Sequence, residues 1–205
     1  MKRFIRPANT TQVSNLYIVL PEGSKTEKDY FKQTDRLFYE NRNNEKGYGL
    51  SLLKPGANNS PAGLINEIKK YLRSGKYREN YEAWIVFDRD QWNDRDLDAV
   101  ESWKKENSHH HFALSHPCFE YWLLLHFEDI SGSLSASELM HRLKKHLPDY
   151  NKSVPRGFVT MDRVKRACNS ARAKFRQCPD LRVNNGSTVY QLIEMLAKEA
   201  GIDLS

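Results

Sequence analysis

Two apolar runs in this chain end in carboxylates. Leu16-Tyr-Ile-Val-Leu-Pro-Glu22-Gly23 and Ala83-Trp-Ile-Val-Phe-Asp88-Arg-Asp90 each read as a buried strand that meets acidic residues as it leaves the core. Open α/β sheets bind ligands outside the carboxyl ends of their strands, so Glu22, Asp88 and Asp90 are candidates for one shared cleft. Three negative charges there would repel one another, and a bound Mg²⁺ or Mn²⁺ would relieve the repulsion through hard oxygen ligands. Such ions can activate a water and stabilise the attacking and leaving oxygens of a phosphodiester. In that chemistry Asp88 and Asp90 are metal ligands, and Glu22 is a ligand or the general acid/base. Spacing alone equally allows a loop start at Asp88-Arg-Asp90 and a solvated turn at Glu22.

Further carboxylates and histidines lie within reach of the same edge. Glu120 falls in the first turn of an apolar helix opening at Pro117, where it either adds a ligand or stabilises the helix N-terminus through the dipole. Glu27 completes a Ser24-x-x-Glu27 spacing, which predicts a capping box, with metal ligation as its other role. His126, inside the apolar helix, is either a satisfied core histidine or a base. The cysteines Cys118, Cys168 and Cys178 are odd in number and widely spaced, which points to reduced structural thiols rather than a disulfide or zinc site.

The elements that must position these residues follow from periodicity. The pattern predicts a basic arm over 1–14, a strand over 15–21, a helix from Ser24 to about Tyr39 and a short strand from Tyr48. A helix follows with Pro61 in its first turn, then a strand over 83–88, a helix over 94–106 and a strand over 110–115. This alternation argues for an α/β fold with about four mainly parallel strands flanked by helices. Beyond the buried helix at Pro117, Ser135-x-x-Glu138 predicts another capping box and a basic helix to about His146. A second basic helix is expected over 160–176 and an amphipathic closing helix over 187–200. The expected organisation is therefore an arm (1–14), a catalytic core (15–130) and a basic helical extension packed on it (131–205).

Charge is unevenly spread. Eleven basic residues stand against two acidic ones between His141 and Gln177, while the whole chain carries a formal +6. Such clustering is the footprint of a phosphate-backbone partner, with a solvated helix face as the plain alternative. Lys144, Lys145, Arg163, Lys165, Arg166 and Arg172 are the candidate nucleic-acid contacts. No run approaches the roughly 18 apolar residues of a membrane span, and the first residues lack the apolar stretch of a signal peptide, so a cytoplasmic protein is expected. A glycine-rich phosphate loop is also missing, which argues against nucleotide hydrolysis.

Several of these segments resemble the RloB-like proteins, which include AbiLii-type abortive phage resistance proteins and look like a compact Toprim fold. The resemblance rests on Glu22-Gly23-Ser-Lys-Thr26-Glu27-Lys-Asp-Tyr30-Phe31, Val86-Phe87-Asp88-Arg89-Asp90-Gln91 and Pro117-Cys118-Phe119-Glu120-Tyr121-Trp122-Leu-Leu-Leu-His126-Phe127. Asn185-Gly-Ser187-Thr188-Val189-Tyr190-Gln-Leu192 adds a weaker match. It implies a Toprim-like core, Mg²⁺ held by Glu22, Asp88 and Asp90 with Glu120 nearby, and phosphodiester cleavage in DNA or RNA during phage defence. It further implies, in some cases, a partner ATPase encoded nearby, and an oligomer is compatible with it. A receiver-like domain would need its acidic pair after the first strand, and a haloacid-dehalogenase-like phosphatase its Asp-x-Asp there; this chain has neither arrangement. The remaining rival is a non-catalytic module that binds nucleic acid or a partner protein.

Overall fold

Strands covered by helices on both faces read as continuous apolar runs, and the two acid-tipped runs behave in that way. In the computed structural model, which describes residues 15–44, 47–75, 80–89 and 92–205, they form β1 (Leu16–Pro21) and β3 (Tyr81–Asp88). Between them lie α1 (Thr26–Glu40), β2 (Gly49–Leu52) and α2 (Pro61–Arg73), and after β3 come α3 (Asp94–Glu106) and β4 (His110–His116). The predicted basic arm lies outside the described residues.

The chain then continues through α4 (Phe119–Leu124), α5 (Ala136–His146), α6 (Met161–Gln177), β5 (Gly186–Ser187) and α7 (Val189–Glu199). The sheet has five strands in the order β2-β1-β3-β4-β5, with all neighbours parallel except β5, which runs antiparallel to β4. This corrects the expected count of four. Gly186-Ser187 has no apolar run to announce a strand; it joins the edge by pairing with Ser115 and His116, and the Ser115 and Ser187 hydroxyls meet at 3.0 Å. Residue 187, expected to open the last helix, is therefore a strand residue.

Alternation of side chains divides the core in two. Ile18, Leu20, Ala83, Ile85 and Phe87 pack against α2 and α3, whereas Tyr17, Val19, Trp84 and Val86 face the layer containing α1, α4, α5, α6 and α7. All six residues of α4 are buried, as its apolar sequence demands. Local signals set several helix ends: Ser60 accepts from the Gly63 N–H ahead of Pro61, and Ser135 with Glu138 closes the predicted capping box. The box expected at Ser24 and Glu27 does not form, because α1 begins one residue later with Lys25 as its N-cap and no side-chain cap. No described helix is long and apolar enough to cross a membrane.

The strand order fixes where a ligand can sit. After β1 the chain passes to β2 on one side, and after β2 it crosses to β3 on the other, so β1 and β3 flank a topological switch point. Crevices at the carboxyl ends of such strands are the usual binding position in open α/β sheets. Glu22 and Asp88 stand at that crevice.

Candidate active site at the carboxyl edge of the sheet

The register of β1 against β3 pairs Pro21 with Val86, so the next residues of both strands emerge side by side. The Glu22 N–H donates to the Val86 carbonyl at 2.7 Å, and Glu22 Oε2 accepts the Asp88 main-chain N–H at 3.0 Å. Trp92 Nε1 approaches the same oxygen at 3.5 Å. The acid of one strand tip thus holds the backbone of the other. Asp90 lies outside the described residues.

Glu27 is drawn into this edge. It is only 6% exposed, and its carboxylate folds over Gly23 so closely that a Cβ at that position would collide with both carboxylate oxygens. Glycine permits this close approach, and any larger residue would force the Glu27 carboxylate to move. Burial pushes the Glu27 carboxyl above its ordinary value; the negative charges of Glu120 and Glu22 push the same way, while the N–H groups of Glu27 and Gly23 partly oppose them. The raised affinity for a proton reflects burial first, with the neighbouring Glu120 and Glu22 carboxylates adding to it.

Glu120 reaches the edge from α4 and is 2% exposed. Its Oε1 accepts from Lys152 Nζ at 2.7 Å and from the Tyr150 hydroxyl at 2.8 Å. Burial alone would raise this carboxyl, but Lys152, Tyr150 and the Cys118 thiol together hold it below its ordinary value. Lys152 is opposed by burial yet held above its usual range by Glu120, with Cys118 and Asp88 contributing. Its backbone has φ +52°, a left-handed conformation that non-glycine residues rarely adopt. Burial and the charges of Glu120 and Asp88 also raise the Cys118 thiol. Glu120 therefore shares the edge with Asp88, but in an ion pair with Lys152.

His126 sits deeper, within an aromatic cluster of Tyr30, Trp122 and Phe158. Its Nδ1 donates to the Trp122 carbonyl at 2.9 Å and its Nε2 accepts the Tyr30 hydroxyl at 3.1 Å. Burial pushes its pKa down to about 3, so the imidazole is neutral and both nitrogens are engaged. This geometry matches a core histidine.

The predicted nucleic-acid contacts are divided. Arg172 donates to Glu194 and Asn169, Arg166 lies 3.4 Å from Asp129, and Arg163 donates to the Phe158 carbonyl while lying over the Phe127 ring. Lys144 and Lys145 are exposed at the end of α5, and Lys165 is half-buried. Two of these six, Arg166 and Arg172, thus pair with acids supplied by other elements.

Sequence reasoning placed no role on Lys152 or Tyr150. Lys152 was visible only as one of eleven basic residues, and its partner lies 32 positions away. Among the described residues, no group of three or more His, Cys, Asp or Glu side chains stands as a ready metal-binding set. A divalent ion at this edge would therefore draw on Glu22 and Asp88 together with Asp90, or on Glu120 released from Lys152. The donor chemistry suits such an ion: hard carboxylate oxygens at a sheet edge with excess negative charge.

An α/β chain with carboxylates at its topological switch point is the class that fold and site define. The family described as RloB-like protein matches residues 17–196, which reaches from β1 into α7, and the chain belongs to that family. Neither curated proteins nor solved structures show a significant match to it.

Proposed function

We propose that this protein is a divalent-metal-dependent phosphodiesterase that cleaves nucleic acid, built on a Toprim-like core, and that it acts in anti-phage defence of the AbiLii abortive-infection type. The observation that carries the reading is the closure of the two strand tips, in which Glu22 Oε2 accepts the Asp88 N–H at 3.0 Å at the switch point. Glu22, Asp88 and Asp90 would hold Mg²⁺ or Mn²⁺, which supplies charge neutralisation at the phosphate and an acidified water. Glu22 is oriented by the Asp88 N–H and Trp92. Glu27, whose affinity for a proton is raised, would serve as a proton-exchanging group at the edge. Lys152 offers a cation beside Asp88 for a phosphate oxygen. A partner ATPase encoded nearby and a cytoplasmic setting belong to the same proposal.

Incubation of end-labelled DNA, RNA and tRNA with the protein tests it. Cleavage that needs Mn²⁺ or Mg²⁺, stops in EDTA and falls at least a hundredfold in Asp88→Asn supports the enzyme. Metal-independent cleavage, or equal cleavage by the variant, contradicts it.

A second reading, a non-catalytic binding module, draws on the Lys152–Glu120 pair, since an ammonium already neutralises one of the edge carboxylates. It predicts nucleic-acid binding with no cleavage under any metal.

A further inference from the structure

Two cations of α6, Arg166 and Arg172, pair with acids of other elements, and α1 carries a different and more exposed set. Lys25, Lys28, Lys32 and Arg36 recur at three- and four-residue intervals, which places them along one side of the helix. At a rise of about 1.5 Å per residue the row spans roughly 16 Å. Lys25, Lys32 and Arg36 are exposed, and Lys28 is partly so. The row begins where α1 leaves the Glu22–Gly23 turn, so its first members border the acidic edge.

Two further cations extend it. Lys54, just past β2, is exposed and acts electrostatically on Lys28; together with Lys32 it adds to the effect of burial in lowering the Lys28 ammonium below its ordinary value. Asp29 offsets this only in part, and its Oδ2 accepts from the Ser153 hydroxyl at 3.1 Å. On the other flank, Arg156 faces Lys32 and Arg36 across a groove of 590 Å³ completed by Gln33, Glu40 and Val159. Gln33 anchors the groove wall by donating to the carbonyls of Val154 and Pro155 at 3.3 and 3.0 Å. Acids on the row are Asp29, Asp35 and Glu40, the last in an exposed pair with Arg36 that is worth little in water. Six cations against these three leave the surface positive beside the acidic edge.

We propose that the side of α1 bearing Lys25, Lys28, Lys32 and Arg36, with Lys54 and Arg156, is the track that binds the phosphate backbone of a nucleic acid and leads it to the Glu22–Asp88 edge. This rests on the nucleic-acid substrate of the preceding section and names the surface that receives it. Phosphates are the partner that fits: the surface is cationic, open and linear, and a backbone is the one partner whose charges repeat along such a line and must be kept away from carboxylates until a metal neutralises them.

The test is binding of labelled single-stranded DNA, single-stranded RNA and duplex DNA in EDTA, followed by fluorescence anisotropy over a series of salt concentrations. The triple variant Lys28→Ala/Lys32→Ala/Arg36→Ala should bind at least tenfold more weakly. Its log-affinity against log-salt slope should be shallower by roughly two to three, since each lost phosphate contact removes about 0.7 to 0.9. The charge-conserving Lys28→Arg/Lys32→Arg/Arg36→Lys should keep both affinity and slope, which separates lost charge from lost folding. The DNA, RNA and duplex arms identify the form that the track accepts. Unchanged affinity and slope in the alanine triple overturn the proposal, as does loss confined to Lys144→Ala/Lys145→Ala/Lys165→Ala. Because binding is read without metal, absence of cleavage in the separate Mn²⁺ and Mg²⁺ assays would sink the phosphodiesterase reading without altering this result. Cleavage by the alanine triple with wild-type KM would sink the track and leave the enzyme standing.

Discussion

Glu22 Oε2 accepts the main-chain N–H of Asp88 at 3.0 Å, so the acid closing the first strand holds the tip of the third. The side chain of one candidate ligand thereby sets the position of the other. Glu22→Gln keeps an oxygen at that place but weakens the charge-assisted bond, and Glu22→Ala removes it. We expect Glu22→Ala to lower stability by about 1–2 kcal/mol, with Glu22→Gln retaining most of it, while both lose metal-dependent activity. Urea unfolding together with cleavage assays separates the two effects.

The Lys152–Glu120 pair gives a second prediction. Lys152→Ala leaves a carboxylate that is 2% exposed with only Tyr150 and Cys118 as donors. Since the lysine head itself is 62% exposed, the loss at neutral pH should be modest, roughly 1–2 kcal/mol. Glu120 has a folded-state pKa below its unfolded one, so its contribution is present above the ordinary carboxyl range and is lost as pH falls through the folded value. The wild-type advantage over Lys152→Ala should therefore shrink on acidification. An equal difference at pH 7 and pH 3 would contradict the pairing.

Glu27 carries the opposite sign. Its folded-state pKa is raised, so the ionised group opposes folding once pH exceeds the ordinary carboxyl value. Glu27→Gln should raise the stability at pH 7 by an amount on the order of 1 kcal/mol, seen as a higher Tm, and give no gain at pH 4. Thermal unfolding at the two pH values decides it, and a stabilisation that is the same at both would refute a destabilising buried charge at Glu27.

His126 should shape the acid limb of the stability curve. A histidine held at about 3 in the folded state and about 6.5 when unfolded takes up its proton only on unfolding between those values, so stability is full above 6.5 and falls as pH drops towards 3. Its share of the loss between pH 7 and pH 5 is about 2 kcal/mol. A His126→Phe variant lacks that share of the slope, at the expense of the Tyr30 and Trp122 hydrogen bonds. Chemical denaturation across the range measures it; identical slopes in both proteins would contradict a neutral buried imidazole.

Legibility in the sequence followed the range of the interaction. Leu16–Pro21 and Tyr81–Asp88 were readable because double-sided burial leaves an uninterrupted apolar run, and Pro61 and Ser135 because capping is settled within four residues. Gly186–Ser187 was not readable, since a two-residue edge strand owes its pairing to Ser115 and His116 rather than to its own composition. The Ser24-x-x-Glu27 spacing was met but not used, because the buried edge gave the Glu27 carboxylate a different place, over Gly23. The basic count between His141 and Gln177 was correct as arithmetic. Glu194, Asp129 and Glu120, all outside that window, decide how much of the charge faces solvent.

The central claim is a shared divalent cation at the β1 and β3 tips, and calorimetric titration of the protein with Mn²⁺ tests it most directly. The account predicts saturable binding by the wild type, accompanied by a rise in Tm with Mn²⁺ concentration, and loss of both in Glu22→Gln and in Asp88→Asn. Binding of equal affinity in the wild type and both variants, or no binding by the wild type, would contradict it.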